Sequence, residues 1–195
     1  FYRVLCIYCI QNCRCICYKH YNGSVGDLCK RRLERFRFIK KNSFEEEKVK
    51  TMVIYEKQCG VPRFACTEYQ EKTKSYVVLI PIINEGERII KELKRALKYH
   101  VFDYADLVIC DGGSTDGCTE ESMLKKLHVN TLLVKQDTGK QGAQLRMGIW
   151  WALQRGYQGI ITIDGNNKDS IEDVPHFIEK LQEGYDLIQG SRFIK

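Results

Sequence analysis

The sequence has no apolar run long enough to cross a bilayer. Val4 to Ile10 is apolar, but it falls far short of the roughly 20 residues a spanning helix needs. Arg3 ahead of that run has the outline of a signal peptide, yet no small-residue cleavage site follows it cleanly. A dinucleotide fingerprint is missing too: no G-x-G-x-x-G follows the first regular apolar run, where Pro81 to Glu85 stand instead. Cysteine is plentiful but poorly spaced. Six of the ten fall at positions 6, 9, 13, 15, 17 and 29 without forming two C-x-x-C knuckles, and His20 has no second His at zinc spacing. Cys59, Cys66, Cys110 and Cys118 read as ordinary thiols of a cytosolic domain rather than a disulfide framework. Basic excess is absent from most of the chain. The net charge is +6, but residues 1–51 hold 12 Lys/Arg against 5 Asp/Glu, whereas residues 52–195 hold 19 against 20. The electrostatic footprint of a nucleic-acid binder is therefore missing from the part that patterns as folded, and no nucleic-acid partner is expected.

The regular patterning begins late. Residues 1–51 mix aromatic, cysteine and basic residues without a period of 2 or 3.6. They read as a basic, Cys-rich extension, disordered or non-native, with the native start expected at Met52. Residues 52–75 read as a linker holding one short strand at Met52 to Tyr55. From Tyr76 onward, strand and helix alternate. Tyr76 to Ile83 is a continuous apolar run, and Glu85 to Tyr99 carries Ile89, Ile90, Leu93, Ala96 and Leu97 at helical spacing. Further strands are expected at Asp106 to Cys110, Thr131 to Val134, Gly159 to Asp164 and Asp186 to Gln189. Helices are expected at Glu120 to Leu127, Gly142 to Arg155 and Ile171 to Glu183. This alternation predicts an α/β fold, a mostly parallel sheet with helices on both faces. Right-handed crossovers then gather Ile83-Asn84-Glu85, Asp111-Gly112-Gly113 and Asp164-Gly165-Asn166 at one sheet edge.

Those clusters admit bland readings as well. Asp164 can simply open a turn, and Asn84 can cap a helix. Asp116 reads as a cap for the helix after it. Asp169-Ser170-Ile171-Glu172 has the form of a capping box. Trp150 and Trp151 share a face with Leu145, Ile149 and Ala152, so core packing is preferred over sugar stacking.

Five ordered motifs carry a resemblance. Val77 to Glu85, Cys110-Asp111-Gly112-Gly113-Ser114-Thr115-Asp116-Gly117, Gly139 to Gly148, Asp164-Gly165-Asn166 and Gly190-Ser191-Arg192-Phe193 together resemble the signatures of family 2 glycosyltransferases. The nearest branch is that of the dolichyl- and polyprenyl-phosphate sugar synthases. The resemblance covers residues 76–195 and implies a Rossmann-like GT-A fold, truncated at its C-terminus, a nucleotide-diphosphate-sugar donor and transfer with inversion. It also implies Mg²⁺ or Mn²⁺ as cofactor, since a divalent cation offsets the charge that departs with the diphosphate and is held by hard oxygen ligands. Carried over residue by residue, it makes Pro81, Ile83, Asn84, Glu85, Asp111, Gly113, Lys140, Arg146, Asp164, Gly165 and Asn166 substrate-binding, with Asp164 and Asn166 as metal ligands.

The chain departs from the family pattern in three places. Asn166 stands for the second acid of D-x-D, Gly112 for the second acid of the D-D-G-S-T-D turn, and Gln141 for the basic residue that directly precedes a glycine. The acceptor is expected to be a lipid phosphate or a glycan. Any general base, and any membrane attachment, is expected beyond Lys195, and residues 1–195 alone are expected to be inactive. The location implied is cytoplasmic, at the cytoplasmic face of a membrane where the acceptor is a lipid. The alternative from another class is a non-catalytic nucleotide-sugar binding module.

Overall fold

The structure is a computed structural model that describes residues 6–9, by backbone only, and residues 52–191. The expectations for the rest of residues 1–51, and for Arg192 and Phe193, lie outside the described residues. Everything described belongs to one compact unit.

Among the described residues, eight strands form one sheet. They are β1 (Cys6–Cys9), β2 (Met52–Tyr55), β3 (Phe64–Glu68), β4 (Tyr76–Ile82), β5 (Ala105–Asp111), β6 (Val129–Lys135), β7 (Gly159–Thr162) and β8 (Leu187–Gln189), in the order β2-β3-β6-β5-β4-β7-β1-β8. The inner strands β6, β5, β4 and β7 are parallel. The helices are α1 (Glu87–Lys98), α2 (Glu121–Lys126), α3 (Gln141–Gln154) and α4 (Val174–Gln182). The expected parallel α/β sheet is therefore present.

The alternation along β4 explains how both faces are covered. Val78, Ile80 and Ile82 face one core with Ile89 and Leu93 of α1, Leu124 of α2 and Ile178 of α4. Val77 and Leu79 face the other, with Met147 and Trp151 of α3. Every second residue of a strand points to the same side, so a strand apolar throughout can serve two cores. Trp151 lies in that second core, and the partly buried Trp150 packs against it, edge-on to Tyr55 and Phe64, so both rings are engaged in packing.

Two segments depart from expectation. Residues 52–75 are more than a linker with one strand: β2 and β3 form a hairpin, and β3 pairs antiparallel with β6. Phe64, Ala65 and Cys66 are buried in it, although the apolar stretch is too short to announce a strand from periodicity alone. Cys6–Cys9, placed by sequence in the disordered extension, lie antiparallel between β7 and β8.

Pro81 sits inside the central strand, where a missing N–H normally breaks the ladder. Here β4 pairs with β7 only as far as Leu79 opposite Thr162, and the Ile163 N–H closes on the Leu79 carbonyl at 3.1 Å. The Pro81 nitrogen faces the side that β7 has already left, so no ladder bond is lost.

Candidate functional site

The C-terminal ends of β4, β5, β6 and β7 open at one edge, as the crossover rule requires for parallel strands. The turn between β2 and β3 lies at the same edge, because Phe64 pairs with Lys135 at the end of β6.

The loops after β4 and β5 are stitched together by consecutive residues. Asn84 N–H donates to Ser114 Oγ at 2.9 Å, Thr115 N–H donates to Asn84 Oδ1 at 2.8 Å, and Gly86 N–H donates to Asp116 Oδ2 at 2.8 Å. Asn84 is therefore not a helix cap. Gly86 holds the N-cap position of α1, and Asn84 takes a left-handed φ of 51°, a conformation Asn tolerates better than most residues. Asp116 does act structurally, but on the start of α1 instead of on the helix that follows it, which Glu120 caps. Asp111 accepts from Ser114 N–H at 3.0 and 2.9 Å and from its hydroxyl at 2.6 Å, so its carboxylate closes its own turn. Glu85 pairs with Arg88 at 2.9 Å. Ile83 stays exposed at the crevice, and Gly113 is exposed in the turn.

Two glycines are fixed by close approach. A Cβ on Gly112 would stand 2.9 Å from Gln144 Nε2 and 3.3 Å from Ile83, which explains why no acid occupies this position. A Cβ on Gly165 would stand 2.4 Å from Ile82 Cγ2, so this residue serves packing of the β7 loop on β4.

The loop after β7 has a defined shape. Asp164 N–H donates to Asp169 Oδ2 at 3.3 Å, Lys168 N–H donates to Asn166 Oδ1 at 3.0 Å, and Asn166 Nδ2 donates to Asp164 Oδ2 at 3.3 Å. Asn167 turns the chain with φ of 61°. The expected capping box does not form: Ser170 precedes a 3-10 turn without a side-chain cap, and Glu172 pairs with Arg95. Asp169 spends its carboxylate on Asp164 instead. Behind the loop, Glu92 of α1 is fully buried and accepts from Asn167 N–H at 3.0 Å. Burial pushes the Glu92 carboxyl up to about 8, with Asp169 and Asp164 adding to the rise against the Asn167 N–H and Arg95.

Helix α3 reaches the crevice from the other face. Gln141 in its first turn donates to Asp164 Oδ1, and the buried Gln144 donates to the Ile82 carbonyl and, at 3.0 Å, to the Cys110 carbonyl. These two glutamines tie α3 to the ends of β7, β4 and β5. Sequence reading missed Gln144, whose only signal is a polar residue on an otherwise apolar helix face. Lys140 stands exposed at the N-cap of α3, where free N–H groups and the helix dipole favour an anion. Arg146 donates to the Gly60 carbonyl at 2.6 Å, holding the β2–β3 turn to the same rim.

The structure thus brings Asp164, Asn166 and Gln141 together, and Asn84, Asp111 and Ser114 together, while Pro81 and Gly165 are built into the packing beneath them. The donor set for a cation is narrow. Asp164 offers a carboxylate, and Asn166 Oδ1 keeps one lone pair beyond the Lys168 N–H. Among the described residues no group of three or more His, Cys, Asp or Glu side chains gathers around a common point. The carboxylate of Asp164 and the amide oxygen of Asn166 are hard oxygen donors, the chemistry that a Mg²⁺ or Mn²⁺ ion would require of the residues holding it.

Fold and crevice together define an open α/β protein that presents acids and amides beyond its parallel strand ends. Sequence comparison narrows the class. No family model matches the chain. It is 31% identical over 116 residues to glycosyltransferase AglJ of Haloferax volcanii, covering 60% of this chain and 35% of that protein. It is 26% identical over 125 residues to polyprenol monophosphomannose synthase of Mycolicibacterium smegmatis, covering 63% of this chain and 46% of that protein. Undecaprenyl-phosphate 4-deoxy-4-formamido-L-arabinose transferase of Proteus mirabilis is 27% identical over 128 residues, 63% of this chain and 38% of that protein. The chain is therefore related in sequence to glycosyltransferases of the polyprenyl-phosphate sugar synthase type, and the resemblance carried by the five motifs is borne out. The matched segments span between about a third and a half of the length of these relatives.

Proposed function

We propose that this chain carries the donor-binding part of a glycosyltransferase that moves a sugar from a nucleoside-diphosphate donor to a polyprenyl-phosphate acceptor, inverting the anomeric carbon. The observation that carries the reading is the placement of Asp164 at the strand-end crevice, facing the first turn of α3, in a chain whose relatives are sugar transferases. The stitched loops after β4 and β5 form the wall for the nucleoside, with Ile83 as an exposed apolar surface for a base and Asn84, Glu85, Asp111 and Gly113 framing it. Lys140 and the N-terminus of α3 meet the diphosphate, and Arg146 holds the hairpin turn beside it.

Asp164, with Asn166 beside it, would hold Mg²⁺ or Mn²⁺. When bound, the ion supplies neutralisation of the negative charge that builds on the departing diphosphate. Gln141 donates a neutral hydrogen bond to the same carboxylate, fixing its rotamer without adding charge. A lipid phosphate acceptor needs no general base, because its oxyanion is already a nucleophile at neutral pH. Such an acceptor implies work at a membrane surface; among the described residues no helix is long and apolar enough to cross one. The names of the relatives favour transfer over mere donor binding.

The test is calorimetric titration of UDP- and GDP-sugars into the full-length protein, with and without Mn²⁺, beside Asp164→Ala. Binding that needs the metal and weakens at least about tenfold in the variant is expected, since charge-assisted contacts are the strong ones. Binding indifferent to both the metal and the variant would overturn the assignment of Asp164. Formation of a polyprenyl-phosphate sugar from the bound donor would separate the transferase from a binding module.

A further inference from the structure

Residues of α1 that carry no expected chemistry reach into the loop that carries the most. Glu92 and Arg95 are i and i+3 on one helix, so they project from neighbouring positions on its surface. Glu92 Oε2 accepts the Asn167 N–H at 3.0 Å. Arg95 Nη1 donates at 3.1 Å to Asn167 Oδ1 and at 3.1 Å to the Asp169 carbonyl, and its Nη2 pairs with Glu172 at the start of the next turn. Backbone and side chain of the one left-handed residue in the loop are thus both held from α1.

A surface loop does not need this. Asn167 is only partly buried, and a left-handed Asn commonly stands alone in turns. Glu92 is in contrast fully buried, a costly place for a carboxyl, and its Oε1 has no hydrogen-bond partner. Placing an acid there to meet a single loop N–H stabilises the fold poorly. It serves instead to fix direction. The residues just ahead of the anchored Asn167 carry the crevice and are linked to the anchored stretch: Asp164 N–H is tied to Asp169, whose carbonyl Arg95 holds, and Asn166 Nδ2 is tied to Asp164.

We propose that Glu92 and Arg95 are positioning residues of the candidate site, locking Asn167 in its left-handed turn and so setting the direction in which Asp164 and Asn166 face the crevice. The inference rests on the donor-site reading above. Arg95 works through its planar fork, which meets the Asn167 amide, the Asp169 carbonyl and Glu172 at once. A lysine offers one ammonium and cannot span all three. Glu92 works as a hydrogen-bond acceptor, a role that an amide oxygen can fill.

The experiment measures Mn²⁺-dependent binding of UDP and GDP to the full-length protein by calorimetry, with melting temperatures taken in parallel. Glu92→Leu and Arg95→Met remove the two anchors, and Glu92→Gln and Arg95→Lys are their conservative partners. Tyr157→Phe serves as a control: its hydroxyl bonds Asp106 at 2.7 Å near the opposite end of the sheet, so it lowers stability without touching the loop. At least tenfold weaker binding is expected in Glu92→Leu and Arg95→Met, with Glu92→Gln within about threefold of wild type, Arg95→Lys in between and Tyr157→Phe unchanged. Should Glu92→Leu fail to fold, Arg95, which is less deeply buried, carries the test alone. Variants that bind as wild type does, or that lose binding only in proportion to a stability loss shared with Tyr157→Phe, overturn the positioning role while leaving the donor site standing. Wild-type protein that binds neither nucleotide with Mn²⁺ overturns the donor-site reading and this inference with it, a result seen before any variant is made.

Discussion

Glu92 links one residue's chemistry to the stability of the whole chain. Its carboxyl ionises near 4.5 when unfolded but only near 8 in the folded protein, because burial disfavours the charge and Asp169 and Asp164 lie close by. Between those values the unfolded chain sheds a proton that the folded chain keeps. Stability therefore falls as pH rises through this window and levels off above it. Glu92→Gln has no proton to shed, so its stability relative to wild type should grow by on the order of 3 kcal/mol from pH 5 to pH 8. Urea midpoints of both proteins at the two pH values give the difference, and parallel pH dependences would show that Glu92 ionises normally. None of this is legible in the sequence, where Glu92 is one more charged residue in an amphipathic helix. Asp164 is the opposite case: an acid ending an apolar run marks itself, and the structure sets it at the crevice. Gly165 falls between them. It resembles a loop glycine kept for substrate approach, but the nearness of Ile82 gives it a packing role that only coordinates reveal.

At the level of elements, α3 does two jobs. Its apolar face packs on the sheet through Met147 and Trp151, while Gln141 and Gln144 reach forward to the ends of three strands. Trp150 extends the same helix sideways onto the β2–β3 hairpin, meeting Tyr55 and Phe64 edge-on with ring centroids 5.5 and 6.0 Å away. Trp150→Ala should cost about 2–3 kcal/mol, at or just below the low end of the roughly 3–5 kcal/mol seen for a fully buried aromatic, since the ring is only partly buried. A thermal melt measures the loss, and a change below about 0.5 kcal/mol would mean that the hairpin is held by its backbone pairing alone. The helix was readable from its period, its start and end lying within a residue of expectation. The hairpin was not, because five residues of strand carry too little periodicity, and the partner that buries them lies about 70 residues away in β6.

For the molecule as a whole, the sheet is graded in burial. β4 and β5 are buried almost throughout, whereas β2 at one edge and β8 at the other are largely exposed. Amide exchange should follow that gradient, slowest along Val77 to Ile82 and Leu107 to Cys110 and fastest along Met52 to Tyr55 and Leu187 to Gln189. Uniform protection across the eight strands would mean that the sheet opens only as one cooperative unit. The sequence by itself determined the alternation of strand and helix from Tyr76, the two-sided burial of β4, the strand-end clusters and the kinship they announce, because these follow from local period and ordered motifs. Tertiary structure alone decided which polar groups face the crevice. Asp111 closes its own turn, Asp116 steadies α1 and not the helix after it, Asp169 serves Asp164 instead of a cap, and Glu92 and Arg95 enter from a helix with no motif. Each of these side chains could hydrogen-bond equally well in several directions, and the partner available depends on which distant segment the fold sets beside it.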